Sequence, residues 1–303
     1  MAARCTFVTY AGLPRLDPDD LLAARALERL GVEVRAAVWD DPSVDWELAG
    51  TCVLRSTWDY PQRPQAFVAW LGLVEARTVL WNPPAVVRWN LHKFYLRDLA
   101  ASGVPVVPTA WLPAGTAPGL AELVGARGWP EAVVKPAYGA GTVGVHLFAA
   151  TPDGLAAAER HANLLLARGD VLVQRYLPSV EDYRERALVF IGGAYSHAVS
   201  KAPFQALLPA GEAGELPAEA TPAELAVARL ALAAAPGPHL YARVDLVRDE
   251  AGAPLLLELE LVEPSLFLGM SPQAPGRLAG VLAAAIGKAG PVPRMGGVVQ
   301  RPI

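Results

Sequence analysis

Three acids late in the chain, Asp245 in "YARVDLV" and Glu258 and Glu260 in "PLLLELEL", have the types and spacing that most directly imply chemistry. Side chains two apart on a strand share a face, so Glu258 and Glu260 point the same way. The segment Glu250 to Ala253 reads as a turn, and antiparallel pairing around it sets Asp245 opposite that pair. Three carboxylates on the inner face of an apolar sheet repel one another and lose their hydration. A divalent cation carrying phosphates offsets this, because Mg²⁺ takes about six oxygen ligands, commonly one or two carboxylates with phosphate oxygens and water. Arg243 lies two residues before Asp245 on the same face, where a guanidinium can hold an anionic group of a substrate. The competing reading leaves these acids on solvent-facing positions of the strand.

A second constellation is "VVKPAYGAGTVGVHLF", in which Lys135 ends an apolar run just before Gly139, Gly141 and Gly144. The glycines spell G-x-G-x-x-G, but a dinucleotide fingerprint must open a helix so that pyrophosphate meets the helix N-terminus. Here "VHLF" follows and reads as a strand. A kinase-type flap also joins two strands, but its lysine comes from a later strand. What remains is a hairpin loop with minimal side chains, whose backbone N–H groups can approach phosphate oxygens, with Lys135 beside it. A plain glycine turn with a surface lysine is the alternative.

These residues need elements to position them. The first ninety residues alternate strands ("RCTFVTY", "VEVRAAVW", "TCVLRS", "TVLW") with helices, one capped by Asp17 and opened by Pro18. That alternation predicts a parallel α/β sheet, whose ligands gather at the strands' C-terminal ends. Arg55, Thr57, Trp58 and Asp59 sit at such an end and are the candidates for substrate contact. From Asn90, "NLHKFYLRDLAASG" reads as one helix stopped by Gly103, and "VPVVPT" as extended chain. A helix, the glycine-loop strand pair, a further helix and the strand "DVLVQRYL" follow. The last part is α+β: hairpins at Gly192-Gly193 and at Glu250–Ala253 with covering helices, and "LLPAGEAGELPAEATP" as a surface loop. Three units result: an N-terminal α/β unit over 1–90, a central unit over 91–173 and a C-terminal unit over 174–303.

Taken together and in order, Lys93 in "NLHKFYL", Lys135 with its glycines, "LVQRYLP", "SHAVSKAP", "ARVDLV" and "LELELVEPS" resemble the ATP-grasp enzymes. The resemblance runs from about Asn90 to the C-terminus, and the leading sheet looks like that family's N-terminal domain. It implies a fold in which two α+β halves enclose ATP, and a reaction that couples a carboxylate to a nucleophile through an acyl-phosphate. It further implies that Lys93, Lys135 and Lys201 contact phosphates and that the loop from Tyr138 through Gly139 and Gly141 to Gly144 is a lid. Gln174, Arg175, Tyr176 and Leu177 would face adenine, and either Glu185 or Glu181 the ribose, with chain order favouring Glu185. Asp245 and Glu258 match metal ligands, and Glu260 stands where many members carry asparagine. "VRWNLHKFYLRDLAASGVPVVPT", "RSTWDY" and "FIGGAYSHAVSKAP" resemble the branch that contains the O-ureido-serine cyclo-ligase of cycloserine biosynthesis. Arg184 precedes Glu185 where that branch leads one to expect glycine.

The expected function is an ADP-forming C–N ligase acting on a small amino-acid-like substrate, with ATP and one or two Mg²⁺ ions, Mn²⁺ being an acceptable substitute. Arg243 and Lys201 are the expected catalytic cations. A nicotinamide-dependent oxidoreductase and a non-catalytic ATP-binding protein are the rival readings; the first requires a helix directly after Gly144. With 303 residues, 53% hydrophobic and a net charge of −4, the chain can bury a large core and lacks the basic footprint of nucleic-acid or anionic-membrane binding. Cys5 and Cys52 match no metal or redox spacing. A cytoplasmic protein, compatible with a homo-oligomer, is the expectation.

Overall fold

The computed structural model describes residues 3–117, 119–139, 141–202 and 214–288. Its first sheet is parallel, in the order β2-β1-β3-β4, from β1 (Arg4–Thr9), β2 (Glu33–Val38), β3 (Thr51–Ser56) and β4 (Leu80–Trp81). Helix α1 (Pro18–Glu28) begins as its sequence dictates: the Asp17 carboxylate accepts from the Asp19 N–H at 2.9 Å, and Pro18 occupies the first turn. Helix α2 (Pro64–Glu75) buries Phe67, Trp70 and Leu71 with Trp39 and Trp46 in one aromatic core.

The second sheet is antiparallel, in the order β5-β8-β6-β7: β5 (Thr109–Leu112), β6 (Glu131–Pro136), β7 (His146–Ala149) and β8 (Val171–Arg175). Helices α5 (Leu120–Gly125) and α6 (Pro152–Leu166) cover one face of it. The third sheet is also antiparallel, β11-β10-β9-β12-β13, from β9 (Glu185–Ile191), β10 (Ala194–Lys201), β11 (Glu215–Ala218), β12 (Tyr241–Arg248) and β13 (Pro254–Glu260). Helix α8 (Pro222–Ala234) starts with a capping box between Thr221 and Glu224. Helix α9 (Ala274–Lys288) packs on α1, so the end of the described chain shares a core with its beginning.

The α/β plus α+β architecture is therefore as expected, with four local corrections. The stretch read as one helix is two, α3 (Pro84–Asn90) and α4 (Tyr95–Ala101), separated by a turn. Tertiary bonding wins over helix propensity there, because the Lys93 N–H donates to the carbonyl of Ala137 at 2.9 Å instead of to its own helix. The loop "LLPAGEAGELPAEATP" contains β11, whose Glu215–Ala218 pair with the open edge of β10; residues 207–213 lie outside the described part. β5 extends the "VPVVPT" stretch into a true strand. The boundary drawn between 173 and 174 falls inside β8, which belongs wholly to the second sheet.

Strand β13 lies at an edge of its sheet, and other parts of the chain satisfy its outer backbone groups. Asn90 donates to Leu259 O at 2.8 Å and accepts from Leu261 N at 2.7 Å, while the Tyr95 hydroxyl accepts from Leu259 N at 2.9 Å. Val107 N and Pro105 O bond Leu256 at 3.0 and 2.7 Å. Asn82, fully buried, donates to Tyr241 O (2.9 Å) and Leu261 O (2.8 Å) and accepts from Leu240 N (2.7 Å). Asn82→Ala would strand these buried backbone groups at about 1–3 kcal/mol each. We expect a loss of about 3 kcal/mol or more in chemical denaturation; a loss under about 1 kcal/mol would show that the bridge is dispensable.

Candidate active site

The β12–β13 hairpin has the register its sequence predicts, with Asp245 opposite Glu258 and Arg243 opposite Glu260. All four side chains line one cavity of about 680 Å³ between the second and third sheets. Lys135 enters from the end of β6 and Lys93 from the turn before α4. Their ammoniums donate to the two oxygens of one carboxylate, Glu258, at 2.8 and 2.9 Å. From β10, Lys201 donates to Asp245 at 2.8 Å and to Glu185 at 3.0 Å. Arg243 holds Asp245 in a two-pronged pair at 2.8 and 2.9 Å and also bonds Glu260. Residues up to 165 positions apart thus meet in one cleft.

The charges set one another. Burial alone would neutralise Glu258, but Lys135 and Lys93 outweigh it and hold its carboxyl far below the ordinary range. Asp245 behaves likewise: Arg243 and Lys201 overcome its burial. Burial opposes the Lys201 and Lys93 ammoniums too, and the facing acids still raise both. Glu260 runs the other way: burial, Asp245 and Glu258 lift its carboxyl despite Arg243. Among the described residues no three acid, histidine or cysteine side chains converge into a ready metal cluster. Lysine and arginine cations hold carboxylate oxygens of all three acids expected to bind metal. The donors still suit a hard, oxygen-seeking divalent ion, being carboxylates adjacent on paired strands.

The other walls carry most of the remaining expected residues. Gly139 and Gly141 flank the mouth, Gln174 to Leu177 form one side, and Glu185 and Trp58 reach the cavity. Gly141 and Gly144 have φ of +59° and +75°, the left-handed region in which glycine is unstrained. β7 follows Gly144 directly, which removes the dinucleotide reading and with it the oxidoreductase. Arg184 has φ +66°, so the backbone before Glu185 adopts the conformation that the expected glycine would favour.

Several expected residues stand elsewhere. Glu181 is exposed and takes the Tyr176 hydroxyl at 3.1 Å, off the cavity wall. Tyr138 packs its ring edge-on against His92, and Gly144 gives its carbonyl to His161 at 2.8 Å; neither reaches the wall. Arg55 is a correction: it is buried, bonded to Asp20 at 2.8 Å, and donates to Pro264 O at 3.1 Å behind the pocket. Thr57 is fully buried, and among the described residues its hydroxyl has no partner; Asp59 is taken by Trp39 and Arg63. Strand-end placement alone could not separate a pocket residue from one that supports it.

The residue that the sequence reading passed over is Glu263. It was visible as the acid that breaks the period-two pattern of "LELELVEPS", one position past where strand alternation would place it. It lines the cavity at 8% exposure, and burial, then Glu260, push its carboxyl up to about 8. The folded protein thus holds this proton more tightly than the unfolded chain, whose glutamate releases it near pH 4.5. Stability from this group is present below that value and is lost as pH rises to about 8. We expect the nucleotide-free protein to lose stability over that window and Glu263→Gln to flatten the profile; parallel pH curves for the two proteins would contradict the assignment.

Comparison with known proteins follows the same lines. The model for the N-terminal domain of D-cycloserine synthetase DcsG matches residues 5–82. Over 300 residues the chain is 38% identical to the cycloserine biosynthesis protein DcsG of Streptomyces lavendulae, spanning 91% of this chain and 96% of the relative. The crystal structure of D-cycloserine synthetase DcsG matches with TM-score 0.86 at 36% identity, over 93% of this chain and 99% of that one. The ATP-grasp ligase PsnB, solved with a precursor peptide and AMPPNP, matches at TM-score 0.63 over 94% and 97% of the two chains. At 16% identity that last likeness is one of fold. The chain belongs to the family of D-cycloserine synthetase DcsG, and its fold is that of the ATP-grasp ligases.

Proposed function

We propose that the chain ligates a carboxylate to an amine, between molecules or by ring closure, through an acyl-phosphate made from ATP on a small amino-acid-like substrate. The observation that supports this best is the ion-pair set in the cavity: Lys93 and Lys135 on Glu258, and Lys201 on Asp245 and Glu185. Ammoniums paired to carboxylates can exchange them for phosphate oxygens without passing through an uncompensated state. Lys93, Lys135 and Lys201 then face the triphosphate, the Gly139–Gly144 turn covers it, and Gln174 to Leu177 flank the adenine. Glu185 meets the ribose.

Asp245, Glu258 and Glu260 would hold Mg²⁺, which supplies neutralisation of the phosphate charge when bound. Positioning and fixed charge do the rest. The substrate carboxylate attacks the γ-phosphorus, ADP leaves, and the amine displaces phosphate from the acyl group. Arg243, held rigidly by Asp245 and Glu260, is placed to steady the developing oxyanion. Water has to be excluded while the acyl-phosphate exists, which assigns the glycine turn a role beyond binding. Among the described residues no helix is long and apolar enough to cross a membrane.

The test is phosphate release with ATP and Mg²⁺ against amino acids and hydroxy-acid derivatives, O-ureido-serine included. Lys135→Ala and Glu258→Gln should each lower turnover on the order of a hundredfold or more, with far-UV circular dichroism unchanged. Full activity in both variants would remove the site assignment.

A further inference from the structure

Of the acids around the acid-bearing hairpin, Glu185, Asp245, Glu258 and Glu260 each hold a cation. Glu263 holds none: among the described residues its carboxylate forms no ion pair and meets no donor from another side chain. It is nevertheless more than nine-tenths buried and faces the cavity. In the free protein burial keeps this acid protonated up to about pH 8, and a cation entering the cleft can take the place of that proton, so the charged partner of this group comes from outside.

The surroundings specify that partner. Trp58, Tyr60 and Phe267 line the cavity with Glu263. Tyr60 stacks on Phe67 and Phe267 lies under Arg243, while Trp58 is bonded to the Glu263 carbonyl. An apolar aromatic wall next to an acid suits an organic ammonium better than a hydrated metal ion. Arg243 is close enough to act on the Glu263 charge, and it supplies the positive group that an amino acid's carboxylate needs at the other end. The backbone around Glu263 is fixed from three directions. Trp58 Nε1 donates to Glu263 O at 3.4 Å, Arg55 to Pro264 O at 3.1 Å and Arg243 to Ser265 O at 3.2 Å. The position of the acid is therefore set before any ligand enters.

We infer that Glu263 is the anchor for the free ammonium of the substrate, so that the cleft selects acids carrying a primary amine over their uncharged counterparts. The inference rests on the ligase reading only in taking this cavity for the substrate site, so binding is measured without nucleotide. The probes are O-ureido-serine, its N-acetyl derivative and MgCl₂, each titrated calorimetrically into the full chain, with AMPPNP plus Mg²⁺ titrated separately. Wild-type protein should take O-ureido-serine at least tenfold more tightly than the N-acetyl compound. Glu263→Gln should weaken O-ureido-serine at least tenfold and erase that preference, and Glu263→Asp should recover part of it. AMPPNP affinity should stay within about threefold, so loss of nucleotide binding in the wild type speaks against the ligase reading and not against this anchor. Equal affinity for the two serine derivatives, no binding of either, an unchanged Gln variant, or binding of MgCl₂ alone that Glu263→Gln abolishes would each overturn the inference.

Discussion

Negative charge confined to the inner face of the β12–β13 hairpin is the constraint from which the rest of the cleft follows. Asp245, Glu258 and Glu260 sit within two residues of one another across a ladder, where repulsion and lost hydration would unfold an unassisted pair of strands. The chain answers with Lys93, Lys135, Lys201 and Arg243, drawn from separate elements of the second and third sheets and the turn between α3 and α4. The cations thus offset the acids' repulsion within the protein itself and are equally suited to a polyphosphate. On the proposed function, structure and chemistry draw on the same four side chains, which would explain why lysines suited to phosphate contact are found buried and bonded.

Strand β13 carries two of the acids and, as an edge strand, would ordinarily offer unpaired backbone to another chain. Asn82, Asn90 and Tyr95 occupy that edge, together with the 105–107 segment. Fixing an edge by side-chain amides places each backbone group to within a hydrogen bond's tolerance, and the carboxylates on the strand inherit that definition. The short α3–α4 break has the same logic: the chain gives up one continuous helix so that Asn90 and Tyr95 can face β13 and Lys93 can face Glu258.

Much of this was legible in the sequence because it is periodic or local. Period-two alternation gave the shared face of Glu258 and Glu260, Gly192-Gly193 and Glu250–Ala253 gave both hairpin turns, and the strand after Gly144 excluded the dinucleotide motif. What stayed hidden depends on distant partners. Arg55 looks like a pocket residue until Asp20 and the Pro264 carbonyl claim it, and Glu181 looks equivalent to Glu185 until Tyr176 binds one and Lys201 the other. The helix break at Lys93 is set by a carbonyl 44 residues away, which no local propensity records. Glu263 lies just past the last residue of the alternating strand, where a side chain's direction is decided by the held loop and not by the pleat.

The bridge made by Asn82 and Tyr241 has a mechanical consequence. The Tyr241 hydroxyl lies within 2.8 to 3.2 Å of the carbonyls of Leu54, Val262 and Trp81, and α1 and α9 share a core, so the first and third sheets are welded into one block. That block carries the acids, Arg243 and Lys201, whereas Lys135 and the glycines ride on the β5–β8 layer, which has a core under α5 and α6 and also shares hydrophobic clusters with the third sheet through Leu172, Val133 and Leu147. On the proposed function a nucleotide would lie between this block and the β5–β8 layer, so the acids and the glycine turn would meet it from two separately built sides.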